Sequence, residues 1–229
     1  MNRTLEHILP RVQKPARYTG GEYNAVVKDR RAVDVRYALC FPDTYEIGMS
    51  NLGVRILYGL MNEMDGVWCE RVFAPWGDME EEMRREGIPL YGLESGDSIA
   101  DFDLIGFSLG YEMAYTNVLN MLDLAGLPLR SGERTELSPI VVAGGTCAFN
   151  PEPLAPFVDL FVLGEGEDVS VEIIQLYRQA REEGWGKEEF LTAAARIPGV
   201  YVPSLYEVSY HGDGTVAAVT PLEGAPARV

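Results

Sequence analysis

The sequence predicts an α/β fold, a doubly wound parallel sheet of five strands covered on both faces, with a small β-hairpin at its C-terminal end. Three observations carry this. Five short apolar runs, most ending in glycine, proline or a polar turn, are spaced along the 229 residues. Stretches of helical periodicity follow several of them, so the order reads repeatedly as strand then helix. The composition, 47% hydrophobic and 24% charged with a mean hydropathy of −0.05, is that of a soluble globular chain.

Residues 1–24 read as an arm, in which Leu5, Ile8, Leu9 and Val12 make a short amphipathic turn broken by Pro10 and Pro15. The α/β domain is expected over 25–200. Its first strand, 35–41, is continuously apolar at its end and stops at Pro42, as a strand buried on both faces should. A helix starts near Ser50 or Asn51, either of which can cap it, and carries Leu52, Ile56, Leu57, Leu60, Met61 and Met64 at helical spacing. The second strand is 67–73. A polar surface helix over 77–87 follows, with Met79 and Met83 as its anchors. The third strand, 103–109, leads into a helix that ends at Gly126, and the fourth is 139–144. The fifth, 159–163, runs through a glycine turn into a helix bearing Ile173, Ile174, Leu176 and Tyr177. A small helix at 187–197 precedes a final segment, 201–229, read as a hairpin (206–220) and linker, with two alternating runs around His-Gly-Asp-Gly.

Charge and cysteine usage narrow the function classes. Nineteen basic residues against 35 acidic ones give a net charge of −16, which would repel a phosphate backbone, so direct nucleic-acid binding is not expected. Three cysteines, Cys40, Cys69 and Cys147, make neither a disulfide framework nor a paired-cysteine zinc site, and reduced thiols in a cytoplasmic protein are the simplest reading. No apolar run is long enough to span a membrane, and the N-terminal segment does not read as a signal peptide.

In a parallel sheet, ligands bind beyond the strand C-termini, so the loops there are the candidate site. Right-handed crossovers should bring the loops that start at Phe41, Leu109, Gly144 and Gly164 to one edge. The loop 42–53 is polar and holds Gly48 and Gly53, a faint echo of a phosphate-binding loop, but Val54 and Arg55 stand where its Lys and Ser or Thr would be. Ser108 ends the third strand. Gly144-Gly145-Thr146-Cys147 ends the fourth, and paired glycines there let a flat ligand approach the backbone. Gly164-Glu165-Gly166-Glu167 ends the fifth, where Glu167 suits the helix dipole. No acid, base or nucleophile signature accompanies them, and the two histidines, His7 and His211, lie in the arm and the hairpin turn. The chain reads as a binding platform without catalysis of its own.

Three segments then carry a resemblance: 103–108 (DLIGFS), 139–145 (PIVVAGG) and 158–167 (VDLFVLGEGE). Together they resemble the cobalamin-binding-type N-terminal domain of B12-type radical SAM proteins, over residues 17–210. The segments 17–24 (RYTGGEYN) and 41–53 (FPDTYEIGMSNLG) look, more narrowly, like an uncharacterised subgroup of them. The resemblance implies a flavodoxin-like, Rossmann-like strand order 2-1-3-4-5. It also implies a cofactor crevice lined by Ser108, Gly144, Gly145, Thr146, Gly164, Glu165 and Gly166. Two departures qualify the carry-over. Cys147 stands where the family has a histidine, and the Asp-x-His-x-x-Gly motif that gives cobalamin a lower histidine ligand in mutase-type domains is absent, so any cobalamin would bind without a histidine from this chain. The cysteine triad of the radical SAM cluster is absent too, which places the 4Fe-4S cluster and S-adenosylmethionine in a separate, C-terminal catalytic domain. No metal ligands are assigned here. Two alternatives belong to other classes: a flavodoxin-type flavin or nucleotide domain using 42–53 as its phosphate cradle, and a purely structural interaction module.

Overall fold

The computed structural model describes residues 3–229. After α1 (Arg3–Ile8), strand β1 (Val35–Phe41) opens the sheet, followed by α2 (Tyr45–Ser50), α3 (Leu52–Glu63) and β2 (Val67–Phe73). Then come α4 (Gly77–Glu86), β3 (Leu104–Ser108), α5 (Tyr115–Leu124), β4 (Ile140–Gly144), β5 (Leu160–Val162), α6 (Gly166–Glu183) and α7 (Lys187–Ala194). A short β6 (Val200–Tyr201) and the hairpin strands β7 (Tyr206–Tyr210) and β8 (Val216–Pro221) complete the chain.

The main sheet has the order β2-β1-β3-β4-β5-β6, and its first five strands are parallel, as expected. Tyr37 pairs with Leu104, and Leu104 with Ile140, so the central strands keep one register across the sheet. Every residue of β1 is buried, because helices cover both faces of a parallel sheet. One core layer gathers α4 and α5 through Met79, Met83, Val118 and Met121, together with Leu5, Ile8 and Val12 of the arm. The other gathers α3, α6 and α7 through Val54, Met61, Ile173, Tyr177 and Phe190.

Three features depart from the sequence reading. The sheet has a sixth strand, β6, which runs antiparallel to β5 with Phe161 opposite Tyr201 and Val162 opposite Val200. Two residues are too few to show alternation, and this strand spans position 200, where the α/β domain was expected to end. The loop 42–53 contains the helix α2, and Gly48 within it is packing-driven, since a Cβ there would lie 2.2 Å from the Phe73 ring. Finally, α3 buries Val54, Tyr58 and Met61, leaving Leu52 and Ile56 of the expected apolar stripe exposed.

Candidate functional site

The C-terminal strand ends lie along one edge, and hydrogen bonds knit their loops together. The Leu109 N–H donates to the Gly144 carbonyl at 2.7 Å, and the Cys147 N–H donates to the Leu109 carbonyl at 3.1 Å. Asn117 Nδ2 donates to the Pro42 carbonyl at 2.9 Å, and the Tyr111 hydroxyl donates to Asp43 Oδ2 at 2.6 Å. That bond holds the Tyr111 proton and raises its pKa. The loops after β1, β3 and β4 are therefore one rigid unit.

Between α3 and α6, at this edge, a cavity of about 180 Å³ descends to the sheet. Ser108, Gly144, Gly145, Gly164 and Gly166 all line it, joined by Tyr37, Leu39, Gly53, Leu57, Gly106, Val142, Val162, Glu167 and Ser170. Its walls are mainly apolar, with the hydroxyls of Tyr37, Ser108 and Ser170 and the carboxylate of Glu167 as polar points. Tyr37 is only 5% exposed, and its hydroxyl lies against Gly106, where a Cβ would come within 2.0 Å of it. Burial pushes its pKa well up, and this phenol makes no hydrogen bond among the described residues. An unpaired hydroxyl on the cavity lining is a contact open to a ligand atom.

Two of the expected residues stand outside the lining. Thr146 turns its hydroxyl to the Gly110 carbonyl at 3.1 Å, fastening the β4 loop to the β3 loop. Glu165 is the exposed residue preceding α6, and its side chain caps nothing. Cys147, in the position where a histidine was sought, packs half-buried against the opposite core layer and away from the cavity. Tyr37, Gly106 and Ser170 escaped the sequence reading. Ser170 lies one helical turn after Gly166, a spacing that was legible; the meeting of Tyr37 with Gly106 depends on a cross-strand approach that was not.

Size and charge limit what the cavity takes. At about 180 Å³ it is smaller than pockets for drug-sized ligands, which span roughly 300–1,000 Å³, so it admits a flat ring and not a macrocycle. Glu167 and Asp168 occupy the first turn of α6 and already complement its dipole, which disfavours a phosphate there. The expected phosphate cradle is likewise taken up by α2, whose turn uses the Ile47 and Gly48 N–H groups on the Thr44 carbonyl. A larger groove, about 730 Å³, lies between residues 22–26 and the outer side of α3. Of its charged groups, Arg71 pairs with Glu22 across the groove and with Glu94 behind it, each at 2.6 Å, while Arg55 and Glu63 make no ion pair among the described residues. Among the described residues no cluster of His, Cys, Asp and Glu could hold a metal ion, and no helix is long and apolar enough to cross a membrane.

The loops and helix starts of this edge carry exposed apolar side chains among exposed acidic ones, Glu46, Glu112, Glu152, Glu165 and Glu167. Met113 is 85% exposed, Phe149 70% and Leu52 66%, with Ile47 and Tyr111 beside them in the same set of loops. Large apolar side chains grouped on exposed loops are the mark of a surface that something covers.

Comparison with known proteins agrees with this architecture. Residues 53–203, about two thirds of the chain, match the family described as "Radical SAM proteins, N-terminal". An uncharacterised protein of Methanocaldococcus jannaschii is 28% identical over 140 residues, covering 60% of this chain and 26% of that protein. The match thus spans about a quarter of the relative's length. No solved structure matches the chain.

Proposed function

The chain belongs to the family of radical SAM protein N-terminal domains, and we propose that it works as an accessory domain that presents the C-terminal edge of its sheet to a radical SAM catalytic domain in the same polypeptide, holding a cofactor between them. The observation that carries this is the glycine-lined cavity on the same sheet edge as the exposed apolar side chains Leu52, Met113 and Phe149. A complete enzyme would bury such side chains against its neighbour. The 4Fe-4S cluster and S-adenosylmethionine belong to that neighbour.

Cobalamin is the cofactor the resemblance implies. The cavity has room for the flat base of its nucleotide tail alone, so Ser108, Gly144 and Gly166 would hold that base and would supply no site for the tail's phosphate. Tyr37, Ser108 and Ser170 would offer hydroxyls to the tail, and Gly144 and Gly166 would leave room beside it. The lining contains no imidazole, so a histidine ligand to cobalt would not come from it. Bound there, cobalamin would supply a cobalt centre to the chemistry of the catalytic domain. The three free cysteines support a reducing, cytoplasmic setting.

Titration of the purified protein with hydroxocobalamin, followed by its visible spectrum, tests the reading. Saturable binding is expected, lost in Gly144→Val, whose Cβ has ordinary room 3.6 Å from Val162 and whose methyl groups would occupy the cavity. Tyr37→Phe should weaken binding without loss of stability, because its hydroxyl has no protein partner to lose. No binding at all would leave the docking role alone.

A further inference from the structure

The hairpin β7–β8 stands apart from the main sheet as a separate two-stranded ribbon. Its register places Tyr206 opposite Pro221 and Val208 opposite Val219, and a β-bulge at Ser209/Tyr210 that skips Ala217 then sets Tyr210 opposite Val216, so these six residues share one face. The other face carries Glu207, Ser209, Ala218 and Thr220. The ribbon is therefore amphipathic, and while Tyr206 at its root packs against Tyr201 with ring centres 5.2 Å apart, its apolar face is open toward the tip: Tyr210 is 63% exposed, Val216 55% and Val219 50%, and every residue of β8 is exposed. An isolated two-stranded hairpin is marginally stable in water and needs a third layer or strand against its apolar face.

We propose that this face packs against the radical SAM catalytic domain of the same polypeptide, making the hairpin a second contact besides the sheet edge; the inference rests on the accessory-domain reading. Two observations select that occupant. After β8 the chain folds back to the hairpin root, where the Leu222 N–H donates to the Leu205 carbonyl at 2.8 Å and the Tyr206 hydroxyl donates to the Pro226 carbonyl at 2.8 Å. Val229 then lies within about 10 Å of Pro226 at full extension, so a domain continuing from Val229 begins beside this ribbon. The alternative occupant, a second copy, must bring together two chains of net charge −16, which repel one another.

Hydrogen exchange on the full-length protein tests this at residues 206–221. The hairpin amides should exchange at least tenfold more slowly in the wild type than in Val219→Lys or the milder Tyr210→Ser, both on the apolar face. Thr220→Lys, on the polar face, should keep the protection. Equally fast exchange in wild type and variants would overturn the interface, and so would protection that vanishes on dilution, which would mark a second copy. Failure of the underlying reading is seen separately: a full-length protein without a cluster-binding cysteine triad would overturn the parent assignment, whereas a triad together with an unprotected hairpin overturns this contact alone.

Discussion

Adjacent glycines at the end of β4 have different jobs, and the difference decides which of them can be used as a probe. Gly145 has a φ of +101°, and a Cβ on it would lie 2.7 Å from the Leu109 carbonyl oxygen, part of the backbone bonding that locks the β3 and β4 loops together. Gly144 has ordinary space around it. In sequence the two glycines read alike, as a pair that lets a flat ligand approach; the backbone makes Gly145 the position where a bulky residue damages the loop. Gly145→Val should lose at least about 1–3 kcal/mol in denaturant unfolding, the usual cost of a residue forced into a strained backbone. Gly144→Val should stay within about 1 kcal/mol of wild type, as a substitution without strain or a buried polar loss does. Equal stability of the two variants would contradict this division. Five of the seven expected cavity residues were legible because strand-end glycines and a serine are visible as a pattern. Thr146 and Glu165 were indistinguishable from them in sequence, since only the direction of each side chain separates lining from fastening.

At the scale of elements, strand positions followed from apolar runs and their order from the family resemblance, while the charged residues inside those runs did not explain themselves. Arg36 and Glu70 sit in β1 and β2 and pair at 2.5 Å, with the Arg36 guanidinium 4.1 Å from the Phe102 ring centre. Asp159, at the entry to β5, accepts from the Val141 N–H at 2.7 Å and faces Lys187 Nζ at 2.7 Å and Arg134 Nη2 at 3.2 Å. Burial pulls the Lys187 pKa down despite that carboxylate. The triad joins β4, β5 and the start of α7, and it explains why a lysine opens a helix that sequence alone would leave on the surface. Replacing Asp159 by alanine strands two buried cations and a strand amide, so a loss of about 3–5 kcal/mol is expected in denaturant unfolding. A loss below 1 kcal/mol would show the cluster to be dispensable. Both α2 and β6 went unread because each is six residues or fewer and owes its form to neighbours: α2 to Gly48 against Phe73, β6 to the free edge of β5.

For the whole molecule, the sheet puts its glycine-lined cavity and its exposed apolar side chains on the same edge, and that coincidence is what an accessory domain seated on another domain requires. Hydroxyl-radical footprinting of residues 1–229 alone and within the full-length protein reads this edge directly, because Tyr111, Met113 and Phe149 are reactive side chains that stand exposed on it. Their modification is expected to fall sharply in the full-length protein, while Trp185, partly exposed beyond the C-terminal end of α6 at the opposite edge of the sheet, keeps its rate. Unchanged modification of Tyr111, Met113 and Phe149 in the full-length protein would contradict that seating.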